Sequence, residues 1–195
     1  LTGLMDFINN SADDFVNSVK LLVLVESESK VQLISGLDTT TRTRETFALA
    51  SYDHFDYRFG NFYDLENFMI SSQANFEFDE NLKSLLVKLS SIKDIQSQEV
   101  ADSGVTQNVT IKAGTTLVET AKIENPVVLT PKQTFPEIKQ LERKFIIRIR
   151  KGPEIALFEA DTGMWKLQTK NAIGAWLTEK LSSESNKHKG VEVIK

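Results

Sequence analysis

The 195-residue chain is 41% apolar and 26% charged, the balance of a soluble globular protein long enough to bury a core without staples, so neither a disordered nor a membrane class is indicated. It has no cysteine, which excludes structural disulfides, thiolate metal sites and a cysteine nucleophile, and its longest apolar run, Leu21 to Val25, is too short to cross a bilayer. A net charge of -4 supplies no global attraction to nucleic acid or an anionic membrane, yet the charge is bipolar: Tyr52 to Glu80 carries seven acids against one base, and Pro131 to Lys151 seven bases against two acids.

Leu4, Phe7 and Ile8, then Phe15, Val16 and Val19, fall at helical spacing on either side of Asn9-Asn10-Ser11 and predict two short amphipathic helices, with Ser11 or Asp13 capping the second. Opening on a leucine suggests an upstream segment. Lys20 to Val25 and Lys30 to Ser35 are apolar, β-branched runs joined by Glu26 to Ser29 and predict a β-hairpin. Gly36 to Arg44 reads as a polar connection, and Glu45 to Ser51 as a third strand.

Tyr52 to Phe78 holds all three tyrosines and six of the twelve phenylalanines, which makes it the expected centre of the core. Asp64 is placed to cap a helix over Leu65 to Asn75. Asp79 is placed to cap another over Glu80 to Ile95, where Leu82, Leu85, Leu86, Leu89 and Ile92 repeat at helical spacing opposite Lys83, Lys88 and Lys93. Beyond Ile95 the period changes to two. Val105, Gln107, Val109 and Ile111 predict a strand between turns at Gly104 and Gly114, and Leu117 to Glu119 and Ile123 to Leu129 continue the strand chemistry.

Lys144 to Arg150 sets Phe145, Ile147 and Ile149 against Lys144, Ile146, Arg148 and Arg150, and Glu154 to Glu159 is its expected hairpin partner across Lys151-Gly152-Pro153. Asp161 or Thr162 opens a last helix through Ser182, with Trp165, Ala172, Ile173, Trp176, Leu177 and Leu181 as its buried stripe. The sum is an α+β fold: an antiparallel sheet with a central helical pair and a C-terminal helix packed on it, one domain over residues 1–182. Residues 183–195 read as a polar, mobile tail in which Val191 to Ile194 would add an edge strand.

The order of segments resembles the family of uncharacterised phage and prophage-encoded proteins to which the prophage protein YfdQ belongs. The features that carry it are the opening Leu4, Asp6, Phe7, Ile8 and Asn9, a hairpin ending in Leu37-Asp38, and Phe62, Asp64, Leu65, Glu66 and Phe68. The Leu-rich helix, Gly104 to Gln107, and the basic hairpin running into Ala156 to Asp161 complete it. The resemblance implies a phage or prophage origin and a bacterial host cytoplasm, where the cysteine-free composition also belongs. It carries over no catalytic residues.

Only His54 and His188 are available as imidazole bases. His188 lies in the polar tail, and His54 beside Asp53 and Asp56 is the one place for general-base or metal work; a strand with His54 and Asp56 on its solvated face accounts for it better. Glu137-Ile138-Lys139 has a nuclease-like Glu-x-Lys spacing, for which Glu159 and Asp161, or Asp79 and Glu80, would supply further acids, but charged strand ends explain so common a spacing. Neither a GxxxxGK[ST] nor a GxGxxG loop occurs, and no cofactor is expected.

Lys144, Arg148, Arg150 and Lys151, with Arg143 nearby, form a basic strand able to follow a phosphate backbone, with Tyr57, Phe59 or Trp165 as stacking surface. Asp53, Asp56, Tyr57, Phe59, Trp165 and Trp176 are the expected self-association or partner surface. The favoured sequence reading is a non-enzymatic phage accessory protein that acts by binding, as a homo-oligomer or with a host or phage protein, and without a membrane partner. Single-stranded nucleic-acid binding by the basic strand comes second, and a metal-dependent hydrolase built on His54 with Asp53 or Asp56 third.

Overall fold

A computed structural model describes residues 1–10, 20–90, 97–102, 106–113, 116–150, 152, 154–183 and 191–195. The fold is α+β, and the chain gathers into two compact units where the sequence suggested one domain. One comprises Leu1–His54, Gln133–Gln140 and Met164–Lys195, and the other Phe55–Lys132 and Leu141–Gly163. The expected single sheet is three sheets, one in the first unit and two in the second.

In the first unit, helix α1 (Thr2–Asn10) is followed by strands β1 (Leu21–Ser27), β2 (Lys30–Ser35) and β3 (Thr46–Ser51). The predicted hairpin β1–β2 forms with Leu21 opposite Ser35, and β3 pairs antiparallel to β2 with Val31 opposite Ala50. The second predicted helix, its caps, and the turns at Gly104 and Gly114 lie outside the described residues. Val23, Val25, Val31 and Leu33 are fully buried against α1 residues Leu4, Met5 and Ile8 and against Ile173 and Leu177 of the last helix, α4 (Met164–Ser183). The stripe of α4 is Trp165, Thr169, Ile173 and Leu177 at four-residue steps, with Gly174 buried beside it; Ala172, expected inside, is exposed. Residues assigned to the tail include strand β11 (Glu192–Ile194), which pairs parallel to β1 and gives the sheet order β11-β1-β2-β3.

The second unit stacks α2 (Leu65–Asn75) and α3 (Glu80–Ser90) on one face of a sheet of order β4-β10-β9-β8, formed by β4 (Tyr63–Asp64), β8 (Val127–Leu129), β9 (Arg143–Arg150) and β10 (Glu154–Glu159). Both predicted caps are present. The Asp64 carboxylate accepts from Asn67 N–H at 2.8 Å and that of Asp79 from Leu82 N–H at 2.9 Å, each satisfying a donor that the first helical turn leaves free. Strands β5 (Ser97–Asp102), β6 (Thr106–Ala113) and β7 (Thr116–Glu124) form an antiparallel meander. The sequence did not signal β5, because SQEVAD carries almost none of the apolar alternation that marks a half-buried strand.

Strict alternation along β9 puts Phe145, Ile147 and Ile149 into the core beside Leu82, Leu89, Phe68 and Phe76. Phe59 stacks on Phe145 at 5.0 Å between ring centroids, and Phe76 meets Tyr57 edge-on at 5.2 Å, so the Phe-rich stretch does supply the centre of this core. Among the described residues no helix is long and apolar enough to cross a membrane.

Candidate nucleic-acid interface

The alternation that buries half of β9 turns Lys144, Ile146, Arg148 and Arg150 to the opposite face of the sheet, away from the two helices. Register then fixes their neighbours. Ile146 stands opposite Phe158 of β10, Arg148 opposite Ala156, Arg150 opposite Glu154, and Lys144 opposite Val128 of β8. Ile146 keeps 36% and Phe158 37% of its surface exposed, which is unusual for two directly paired large apolar side chains on a sheet face. Ala156 is fully buried on this face, and Arg148 opposite it is half-buried, its Nη1 donating to the Ile147 carbonyl at 3.3 Å.

A second ring completes the face. The loop before β4 is drawn against β10 by a hydrogen bond from Gly60 N–H to the Leu157 carbonyl at 2.8 Å, with Gly60 at φ +79°, a conformation that favours glycine. This brings half-buried Phe62 edge-on to Phe158, centroids 6.3 Å apart, and places the Arg150 guanidinium 3.6 Å from the centre of the Phe62 ring. Phe62, Phe158 and Ile146 thus form an apolar patch alongside Lys144, Arg148 and Arg150. An open concavity of about 550 Å³ continues from Phe62 past Tyr63, Asp64 and Asn67 to Ile70 and Ser71 of α2. An array of rings and cations can take stacked bases and their phosphates together.

Four residues expected in this interface, Arg143, Tyr57, Phe59 and Trp165, are not there. Arg143 points inward: its side chain is 2% exposed, gripped by Asp161 through Nε at 2.6 Å and Nη2 at 2.8 Å and by Glu159 through Nη2 at 2.6 Å, with the guanidinium 5.1 Å from the Phe145 ring centre. A buried charge is tolerated because both partners and the planar fork satisfy it. The Arg143 guanidinium holds the Asp161 carboxyl below the usual carboxylate range against the opposing effect of burial. Tyr57 is 4% exposed and Phe59 is half-buried inside the aromatic core. Lys151 lies outside the described residues.

The expected association surface is corrected in the same way. Tyr57, Phe59 and Trp165 go to core packing, Trp165 retaining 7% exposure, and Trp176 is half-buried against the core of the first unit. Burial, reinforced by neighbouring Tyr63 and opposed by the Leu157 backbone, pushes the Tyr57 phenol above its ordinary pKa. Asp53 and Asp56 remain at the surface.

The strand expected around His54 is absent, since side chains and not a ladder satisfy this backbone. Asp56 N–H donates to Asn75 Oδ1 at 2.8 Å and Arg58 N–H to Tyr63 Oη at 3.0 Å. His54 Nδ1 lies 3.7 Å from Asp53 Oδ1 with both side chains more than four-fifths exposed, a solvated pair. Among the described residues no group of three or more histidines, aspartates and glutamates is placed to hold a metal ion. The acids of the nuclease-like reading all have structural duties. Glu137 accepts from Thr2 N–H and Oγ1, Glu159 and Asp161 hold Arg143, Asp79 binds Thr130 Oγ1 and the α3 N-terminus, and Glu80 pairs with Lys83.

Sequence reasoning found the cations of the face and missed its rings. Phe158 and Phe62 carry no motif, and only the hairpin register, set by the turn at Gly152, brings Phe158 beside Ile146. Compared with protein-family models, curated proteins and solved structures, the chain matches none.

Proposed function

We propose that this protein acts by binding single-stranded nucleic acid on the helix-free face of the β4-β10-β9-β8 sheet. The observation that carries the reading is the meeting, on one face, of Lys144, Arg148 and Arg150 with the exposed ring of Phe158 and the half-buried ring of Phe62. Cations alone would suit any polyanion; rings interleaved with them favour one whose bases are unstacked and free to lie flat. The acidic net charge of -4 confines attraction to this face and disfavours a wrap around duplex DNA. Self-association, favoured on sequence, loses most of its assigned residues to the two cores. The phage or prophage origin suggested by the order of segments, and a non-enzymatic accessory role, belong to the same proposal.

Fluorescence anisotropy separates the ring contribution from the charge contribution. A labelled single-stranded oligonucleotide, its duplex and dextran sulfate are titrated with wild-type protein and with Phe158→Ala. The reading expects the single strand to bind tightest and Phe158→Ala to weaken it about tenfold, a stacking contribution of about 1–3 kcal/mol per base, while dextran sulfate binding is unchanged. Equal affinity for all three ligands, or no binding at low salt, overturns it.

A further inference from the structure

The helix-free face of the β4-β10-β9-β8 sheet changes sign along one row. Register sets Arg150 opposite Glu154 and Glu154 opposite Asp64, and directly opposite residues share a face, so two carboxylates follow the last cation across β9, β10 and β4. Glu154 and Asp64 are both exposed, and like charges in directly paired positions repel. A phosphate chain led along Lys144, Arg148 and Arg150 meets repulsion at these acids, so what it extends past Arg150 toward β4 is a base and not a phosphate.

The concavity beside Asp64 suits a base. Its volume of about 550 Å³ falls in the range of small-ligand sites, about 300–1,000 Å³, and Phe62, Tyr63 and the 60% exposed Ile70 give it apolar walls. Among the described residues no lysine or arginine lines it. Its polar groups are those of Asp64, Asn67 and Ser71, and Asn67 donates its N–H to Asp64 Oδ1 at 2.8 Å and its side-chain amide to Oδ2 at 2.6 Å. These bonds hold the Asp64 carboxyl below the usual carboxylate range, so it presents acceptors only. An ionised carboxylate has about four lone-pair sites, so each oxygen keeps one for a ligand. Guanine alone among the common bases offers two adjacent donors on its Watson–Crick edge, N1–H and the N2 amino group. Adenine and cytosine set one amino group beside a ring-nitrogen acceptor, and thymine flanks its N3–H with two carbonyls that a carboxylate repels. Phe62 is a wall of the concavity and also carries the Arg150 guanidinium, so a base in the concavity has a cation ready for its phosphate.

We propose that the concavity between β4 and α2 receives one guanine of the bound single strand, with Asp64 accepting from its N1–H and N2 amino group while the adjoining phosphate rests on Arg150. The inference rests on the single-strand reading and adds a base preference to it, with Asp64 as the specificity-determining residue.

Anisotropy titration of the full chain tests it with a labelled thymidine tract and with the same tract carrying one guanine, hypoxanthine, adenine or cytosine at each position in turn. Guanine at one position is expected to tighten binding roughly tenfold, the discrimination of a bidentate base contact. Hypoxanthine, which lacks the N2 amino group, is expected to lose most of that gain. Asp64→Asn retains an equally good helix cap and the wild-type circular dichroism, and is expected to bind the guanine-bearing tract no tighter than the plain one. Tracts that all bind alike, or a guanine gain that survives in Asp64→Asn, overturn the base site and leave the single-strand reading standing. No binding by any tract overturns that reading and this inference with it.

Discussion

The Arg150 guanidinium lies 3.6 Å from the centre of the Phe62 ring, on the face of the sheet opposite the helices. At that distance the ring quadrupole holds a cation flat and steadies a side chain that would otherwise sample many rotamers. Phe62 is a positioning residue for Arg150 as well as a wall of the face. Phe62→Ala is expected to lower single-strand affinity by about threefold to tenfold, a loss of about 0.5–1 kcal/mol from the cation–π contact plus lost contact area. Chemical denaturation should move little, since Phe62 is only half-buried. An unchanged anisotropy titration for Phe62→Ala would remove it from the site.

Arg143 is a fold residue despite its place in the basic stretch. Replacing it with alanine strands Asp161 and Glu159 beside an emptied cavity and is expected to cost about 3–5 kcal/mol. Arg143→Lys keeps the charge without the fork that spans both carboxylates, so an intermediate loss is expected. Urea unfolding of the two variants gives the order directly, and a stability equal to wild type in Arg143→Ala would contradict the buried grip.

Acid should loosen the same grip. The Asp161 carboxyl has a lowered pKa in the folded protein, chiefly from its hydrogen bonds to Arg143, so it binds a proton more readily when unfolded. Its contribution is therefore complete above the unfolded value of about 3.9 and is lost as pH falls below that toward the folded value. Stability measured against pH in wild type and Asp161→Asn should converge in this acid range and diverge above it. Parallel curves throughout would show that Asp161 carries no such coupling.

The Tyr57 hydroxyl is buried, with only the Leu157 backbone set against it and no hydrogen bond of ordinary geometry, a state that costs up to about 1–3 kcal/mol relative to hydration. Tyr57→Phe retains the ring packing against Phe76 and Tyr63 and removes the stranded group. Thermal unfolding should show a variant at least as stable as wild type. By contrast Phe76→Ala, which empties a fully buried site among Phe55, Tyr57, Phe59 and Phe145, is expected to lose about 3–5 kcal/mol.

Local chemistry was the legible part of the fold. Asp64 and Asp79 declare themselves as caps because each precedes an amphipathic run by one residue, and the alternation of Phe145, Ile147 and Ile149 predicts which face of β9 is buried. What sequence periodicity hides is the partner of each exposed side chain. Tyr57, Phe59 and Trp165 resemble surface anchors until Phe76, Phe145 and the four-residue stripe of α4 are seen to surround or bury them. Arg143 looks like one more base of a basic strand, since its acids lie sixteen and eighteen residues further on and meet it only through the β9–β10 pairing. The rings of the candidate face were missed for the same reason: Phe62 and Phe158 are far apart in sequence and join through a loop turned at Gly60.

The most direct test of the single-strand reading is the salt dependence of oligonucleotide binding by wild type and by the Arg148→Glu, Arg150→Glu double variant. Three cations on the face predict that log affinity falls with log salt at a slope of about -2, about 0.7 for each phosphate neutralised on a single strand. The double variant should lose binding while keeping the wild-type circular dichroism spectrum and unfolding transition. Binding by the double variant at wild-type affinity, or an affinity independent of salt, would contradict the assignment of this face.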